Sequence, residues 1–277
     1  MSEIAERVFV VDSFSTDGTV EIAESLGATV VANKWVNHAT QMNWALSTLE
    51  IETDWVFRID ADEYVTQELR LEIKNKIASV STEVAGIRLQ RRMKFLQRPI
   101  RYGGVFPVQV LRIFRRGLGR SESRWMDEHI VVDGRTVLFS GELIDDNLHT
   151  LTWWTQKHNE YASRETIDVL VRKHGIVGDL ASEDVSDVRA GGSKRWIKER
   201  VYYRLPFGVR AALYFLYRYV LRLGFLDGRE GAAFHALQGF WYRILVDAKI
   251  FEVEEFSRRN DVSIKEAIKH VLFSNVD

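Results

Sequence analysis

Three carboxylates close the run Trp55-Val56-Phe57-Arg58-Ile59-Asp60-Ala61-Asp62-Glu63, and two of them, Asp60 and Asp62, stand one residue apart. If the apolar run Trp55–Ile59 is a strand, its period of two puts Asp60 and Asp62 on the same side. Two hard oxygen donors at a strand exit suit Mg²⁺ or Mn²⁺, and such an ion suits a diphosphate. The chemistry this predicts is metal-assisted transfer from a nucleotide-activated substrate. The competing reading is a solvated turn that caps the next helix, because Asp-x-Asp also arises by chance.

A second carboxylate sits in a similar place. Val8-Phe9-Val10-Val11-Asp12 reads as a buried strand ending in an acid, followed by the polar turn Ser13–Gly18 and a helix from Thr19 to about Leu26. Thr16 or Asp17 can cap that helix, and Gly18 can take an unusual backbone angle. Asp12 is placed where ligands bind in open α/β sheets, at the carboxyl end of a strand. Two strands that each end in a carboxylate predict one shared crevice.

The elements that must position these residues alternate as an α/β domain requires. Strands are predicted at Ala28–Ala32, Trp55–Ile59, Val84–Leu89, Val108–Phe114, Ile130–Val132 and Thr136–Ser140. Helices are predicted at His38–Leu49 and Thr66–Ser79. Thr66 is the predicted N-cap of the second, with Leu69, Ile73 and Ile77 on one face. Arg91–Pro107 reads as an irregular basic and aromatic loop.

The pairing of V-V-D-S-F-S-T-D-G-T with W-V-F-R-I-D-A-D-E resembles the family 2 glycosyltransferases, in the branch that builds bacterial lipopolysaccharide core, capsule and exopolysaccharide. Gln41-Met42-Asn43-Trp44-Ala45-Leu46 resembles that branch's Q-x-N-W-A-L helix. Trp125-Met126-Asp127-Glu128-His129, running on to Asp133-Gly134, resembles its acidic acceptor-side motif. The likeness runs over roughly residues 7–165 and more loosely beyond. It implies an inverting enzyme with the α/β GT-A fold, Rossmann-like, a mixed sheet flanked by helices, here with a mostly helical C-terminal extension. The implied division is a catalytic domain over 1–150 and the extension over 151–277.

The same resemblance implies roles. Asp12, Asp60, Gln41 and Asn43 would contact a nucleotide-sugar donor, UDP-, GDP- or ADP-linked. Asp62, Asp60 and a late histidine, His149, would hold Mn²⁺ or Mg²⁺. Imidazole suits Mn²⁺ better than Mg²⁺, and a hydrogen-bonded loop histidine is the alternative for His149. Inversion needs a base for the acceptor hydroxyl. Glu128 aligns best with it and Asp127 stands in reserve, against the alternative of a surface turn with solvated charges. The acceptor would be a glycan or a lipid-linked saccharide. A GT-A domain ordinarily has a strand–loop–helix unit ahead of its V-V-D strand. Only Met1 to Arg7 precede it here, so an exposed sheet edge and an incomplete base pocket are expected.

Composition bounds the rest. The 277 residues carry 38 basic and 39 acidic side chains, a net charge of −1, which gives no overall bias toward nucleic acid. The absence of cysteine excludes disulfides and thiolate chemistry. An apolar fraction of 46% supports a packed core. Eight arginines between Arg88 and Arg116 are candidates for phosphate or an anionic acceptor, without a way to choose among them.

Beyond residue 150 the pattern becomes helical and aromatic: Leu151–Lys173, a polar linker at Gly175–Gly192, then Trp196–Phe225 and Phe234–Phe251. Arg210, Tyr214, Arg218 and Arg222 recur every four residues beside Leu213, Leu216, Val220 and Leu221. A helix so spaced shows a cationic stripe next to an apolar face, which suits a membrane interface and is too short and charged to span one. The expected location is the cytoplasmic face of the inner membrane, by peripheral contact. A helical core or dimer interface would use the same pattern. Two other functional classes fit the motifs: a sugar nucleotidyltransferase, and a noncatalytic GT-A-like partner in polysaccharide assembly.

Overall fold

The computed structural model describes residues 3–122, 129–176 and 206–273. The chain divides into two compact units. The first holds the chain up to Arg92, the stretch that begins at Pro107 and the stretch that ends at Asp146. The second holds Met93–Phe106 and the chain from Asn147 onward.

In the first unit, β1 (Phe9–Asp12) and β2 (Thr29–Ala32) pair in parallel as a two-stranded sheet, joined through α1 (Thr19–Ser25). After α2 (His38–Thr48) come β3 (Trp55–Phe57), β4 (Glu63–Val65) and α3 (Gln67–Lys76). The long β5 (Val84–Phe95) leads through β6 (Arg98–Pro99) to β7 (Val108–Arg115). β8 (Gly119–Ser121) and β9 (Ile130–Val132) form a small antiparallel ladder before β10 (Arg135–Asp146). The larger sheet runs β3-β7-β5-β10-β4, with β6 on β5. Parallel and antiparallel pairing both occur, and helices flank the strands, as an α/β GT-A-type domain requires.

Burial explains the arrangement. Leu69 and Ile73 of α3 pack on Ile87 and Leu89 of β5, Ile113 of β7, and Phe139 and Leu143 of β10. The face predicted for this helix is therefore the buried one, and Thr66 is its cap, accepting from the Leu69 N–H at 3.3 Å. Gly141 permits the close approach: a Cβ there would stand 2.4 Å from Leu69 Cα. Glu72 then fastens the helix to β10, accepting the N–H groups of Ser140 at 2.9 Å and Gly141 at 2.8 Å.

Three sequence expectations change. β3 stops at Phe57 instead of Ile59, because residues 60–63 fold into a turn. The predicted loop Arg91–Pro107 is partly strand: β5 runs on to Phe95 and turns back through β6, with Leu96 and Gln97 at φ of 48° and 65°. At α1 the N-cap position is Gly18, and Asp17 just before it accepts both the Thr19 N–H at 3.3 Å and the Thr19 hydroxyl at 2.6 Å.

In the second unit, α4 (Leu151–His174) is capped by Thr150 and ended by Gly175 in the left-handed conformation. It packs on α7 (Tyr242–Asn260), with α8 (Ile264–Ile268) closing that core around Leu170, Val253 and Ile268. Between them lie α5 (Val209–Leu216), a π-helical turn at Tyr217–Leu221, α6 (Gly228–Phe234) and a π-helical stretch at His235–Trp241. Of the predicted cationic stripe, Arg222 is exposed but Arg210 and Arg218 are not. Arg210 is buried against Asp247, and Arg218 is buried with its Nε donating to Gly103 O at 3.1 Å. The apolar side of the helix faces outward instead. Among the described residues no helix is long and apolar enough to cross a membrane.

Candidate active site

Asp12 ends β1 as predicted and is buried. The turn after it is built on its carboxylate, which accepts the Ser15 hydroxyl at 2.5 Å and the Ser15 N–H at 2.9 Å. Those bonds hold the Asp12 carboxyl below the usual range. They also hold Phe14 at φ 64°, a left-handed angle uncommon for an aromatic residue.

Gln41 ties this turn to its neighbours. Its amide donates to Ser13 Oγ at 3.2 Å and accepts from Asn33 at 2.7 Å, so α2 bridges the exits of β1 and β2. Asn43, two residues along, is engaged elsewhere. Its amide donates to Ser121 O at 2.8 Å and accepts from Ser121 N at 2.9 Å. Asn43 thereby fixes β8, whose ladder with β9 closes at Glu122 N to His129 O, 3.0 Å. Asp127 and Glu128, the predicted base, lie outside the described residues.

The second motif is a turn. The Asp60 N–H donates to Glu63 Oε2 at 3.0 Å, and the Glu63 N–H donates to Asp60 O at 2.9 Å. Strand alternation therefore does not relate Asp60 to Asp62. Asp60 turns inward: Arg58 Nε donates to one carboxylate oxygen at 3.2 Å and Arg112 Nη2 to the other at 2.9 Å. Burial pushes the Asp60 carboxyl up, but the charges of Arg112 and Arg58, with His38, outweigh it and hold it low. Arg112 also reaches Glu63 at 2.5 Å; there burial dominates, and the Glu63 carboxyl is raised. Asp62 is exposed, and its side chain makes no hydrogen bond or ion pair among the described residues. Its backbone oxygen accepts the Asp146 N–H at 2.8 Å.

Two residues gain importance here. Arg112 was one of eight undistinguished arginines; only the β3–β7 register brings it beneath Asp60. Asp145 on β10 pairs in register with Glu63. Burial raises its carboxyl, and the nearby charges of Asp62 and Asp60 add to this, while Arg91 at 3.8 Å opposes it.

Ser13 beside Asp12, with His38, Gln41, Arg58 and Asp60, lines one cavity of about 630 Å³. The turns at the two strand ends thus open on one space through Ser13 and Asp60, while Asp12 itself is not among the lining residues. His149 belongs to the second unit, where its ring stacks on Trp153 at 3.9 Å. Among the described residues no group of three or more His, Asp or Glu side chains is arranged to hold a metal. What fits a divalent ion is narrower. Asp62 has a free carboxylate beside Asp145, and Mg²⁺ commonly takes one or two carboxylates and completes its shell with substrate phosphates.

Comparison with known proteins bears on the region that forms this cavity. Residues 4–118 match the family described as Glycosyl transferase family 2. This stretch is similar to the family 2 glycosyltransferases. An uncharacterized glycosyltransferase of Rickettsia bellii is 47% identical over 79 residues, covering 28% of this chain and 26% of that protein. The lipopolysaccharide core biosynthesis glycosyltransferase LpsC of Rhizobium meliloti is 32% identical over 138 residues, 48% of this chain and 50% of that protein. The chain thus spans half or less of these curated relatives. The family 2 region contains Asp12, Gln41, Asn43, Asp60, Asp62 and Arg112, the residues described above, except for Asp145.

Proposed function

We propose that the chain is a glycosyltransferase that moves a sugar from a nucleotide-sugar donor to a glycan or lipid-linked saccharide of the cell surface, with inversion. The observation that carries this reading is the shared cavity onto which the Asp12 turn and the Asp60 turn open within a family 2 region. The name of the LpsC relative supports lipopolysaccharide core as the product class.

Each residue then has a defined task. Asp12 accepts hydrogen bonds from the base or ribose of the donor. Asp60, held ionised by Arg58 and Arg112, orients the ribose rather than meeting a metal directly. Asp62, with Asp145 next to it, is the protein's contribution to a Mg²⁺ or Mn²⁺ site; such an ion neutralises a departing diphosphate. Gln41 keeps the Asp12 turn in place, and Asn43 positions the strand that leads toward Asp127 and Glu128. Glu128, with Asp127 in reserve, takes the proton of the acceptor hydroxyl as its oxygen bonds to the anomeric carbon and the bond to the diphosphate breaks.

Contact with a membrane surface is part of the proposal. Val209, Leu213, Leu216 and Val220 are 39–53% exposed along one side of α5 and the turn after it, while the arginines of that segment are buried. An apolar face of this kind suits the lipid interface of a membrane that carries the acceptor.

Thermal stabilisation by UDP-, GDP-, ADP- and dTDP-sugars, with and without Mn²⁺, tests the reading. A shift that needs one nucleotide and the metal supports it. Release of pyrophosphate instead of nucleoside diphosphate would favour a nucleotidyltransferase, and absence of donor binding a noncatalytic partner.

A further inference from the structure

Between the π-helical turn at Tyr217–Leu221 and α6 the chain reads Arg222-Leu223-Gly224-Phe225-Leu226-Asp227. Leu223 stands at φ 59° and ends the helical run, and a 3₁₀ turn over Gly224–Asp227 leads into α6. A leucine keeps a left-handed angle only where its surroundings hold it. Here the stretch Arg101–Gly103 of the same unit does so. The Gly103 N–H donates to Arg222 O at 2.8 Å, and the Asp227 carboxylate accepts the N–H groups of Arg101 at 3.1 Å and Tyr102 at 2.9 Å. These bonds fix the corner at its base and use none of its apolar side chains.

Those side chains stay in water. Leu221, Leu223, Phe225 and Leu226 are 46–73% exposed, and a cluster of large apolar groups held rigidly outward marks a surface that another phase covers. The charges around it are of one sign. Arg101, Arg222 and Arg229 are exposed, and their side chains make no hydrogen bond or ion pair among the described residues. The neighbouring acids are engaged, Asp227 by two backbone N–H groups and Glu230 by Arg98 at 3.8 Å. Arg222 lies over Gly104, where a Cβ would stand 3.5 Å from its Nε. Gly104 is exposed, at φ 73°, and its N–H has no partner among the described residues. A cation and a backbone donor thus stand together at the foot of the apolar corner, which is how proteins hold phosphate oxygens. An apolar partner alone would leave the three arginines unmatched. Acyl chains beneath a layer of anionic phosphate match both parts.

We propose that this corner docks on a bilayer of anionic phospholipid: Leu221, Leu223, Phe225 and Leu226 enter the acyl layer, and Arg222, Arg101 and the Gly104 N–H hold headgroup phosphate above them. The proposal rests on the membrane contact proposed for α5 and goes beyond it, because it assigns the charge of the lipid and the residues that read that charge. It does not depend on sugar transfer.

Sedimentation of the whole chain with vesicles tests it, comparing phosphatidylcholine alone with equal parts of phosphatidylcholine and phosphatidylglycerol. Binding to the anionic vesicles should be tighter by roughly tenfold or more, and the difference should shrink as salt is added. Arg222→Gln should weaken binding to the anionic vesicles roughly fivefold, the effect of one cation near such a surface, and leave binding to phosphatidylcholine unchanged. The Arg222 side chain has no partner among the described residues to lose, so the variant should keep the parent's melting temperature. Phe225→Ser should weaken binding to both vesicle types. Exchange of the Gly104 amide hydrogen should slow with the anionic vesicles. Equal affinity for the two vesicle types, or an Arg222→Gln variant that binds like the parent, overturns this proposal and leaves the contact by α5 standing. No binding to either vesicle overturns both. Slowing at Gly104 by inorganic phosphate alone, as strong as that by vesicles, would make this a site for a free anion. Protection of the corner that grows with protein concentration without lipid would give it to a second copy of this chain. Each of these last two results also overturns the proposal. Thermal shifts with nucleotide-sugars are read without lipid, so the transferase reading stands or falls separately.

Discussion

Arg112 Nη2 stands 2.5 Å from Glu63 Oε1, with the two side chains 7% and 1% exposed. The same nitrogen holds Asp60 at 2.9 Å, so one cation serves two carboxylates and ties β7 to the turn before β4. Replacing Arg112 with Met leaves the buried Glu63 without its cation and Asp60 with Arg58 alone, a loss on the order of 3–5 kcal/mol. Urea denaturation should show it, and Arg112→Lys should restore only part, because lysine lacks the fork that spans two acids. An unchanged midpoint in Arg112→Met would remove the clamp from the account.

Asp60 and Asp62 should separate when mutated. Asp62→Asn is expected to abolish metal-dependent transfer at an unaltered melting temperature, since its side chain holds nothing else among the described residues. Asp60→Asn should lower both. The folded-state carboxyl of Asp60 is depressed, so its stabilisation is present above the unfolded carboxylate pKa and is lost as pH falls through the lower folded value. Asp60→Asn should therefore flatten the acid limb of a stability–pH curve. Full transfer activity in Asp62→Asn would refute its metal role.

His235 gives a second pH effect of the same sign by a different cause. It is fully buried, with neither ring nitrogen hydrogen-bonded among the described residues. Burial, reinforced by the charge of Arg218 and opposed by Asp227, lowers its pKa to about 4. Between an unfolded value near 6.5 and the folded value of about 4, the unfolded chain binds the extra proton. Stability should fall across that window as pH drops, by on the order of 3 kcal/mol. His235→Phe should remove this slope; an identical slope in the variant would show that another group titrates.

Asn43→Ala should lose the paired bonds to Ser121 and cost about 1–3 kcal/mol. If Asn43 positions β8 instead of touching donor, hydrogen exchange at Ser121 should quicken and transfer should slow, with KM for the nucleotide-sugar unchanged. A selective rise in that KM would return Asn43 to the donor site.

Gly141→Ala tests the close approach of α3 to β10. A Cβ there meets the Leu69 backbone, which cannot swing aside as a side chain can. Overpacking should cost about 1–3 kcal/mol, read as a lower urea midpoint; a neutral result would mean that α3 shifts freely on the sheet.

Much of this was legible in the chain because it depends on local periodicity. The V-V-D strand, Thr66 as a cap, the Leu69/Ile73 face and the order of strands and helices follow from side-chain spacing and from which residues satisfy a helix end. The family likeness rested on ordered motifs, and residues 4–118 carry it. The β3 exit was misjudged because alternation was extended through Ile59, whereas the Asp60–Glu63 hydrogen bonds turn the chain earlier. The arginines of α5 were placed on the surface because charge favours water when nothing else is known; Asp247, thirty-seven residues beyond Arg210, and Gly103 far upstream give them buried partners.

The sequence by itself determined which residue types lie at the ends of which elements, since period and capping are properties of neighbours. It could not select Arg112 from eight arginines, separate the paired Asp60 from the open Asp62, or bring Asp145 beside them. Those depend on strand register and on contacts between residues fifty to eighty positions apart, and only the folded sheet sets them.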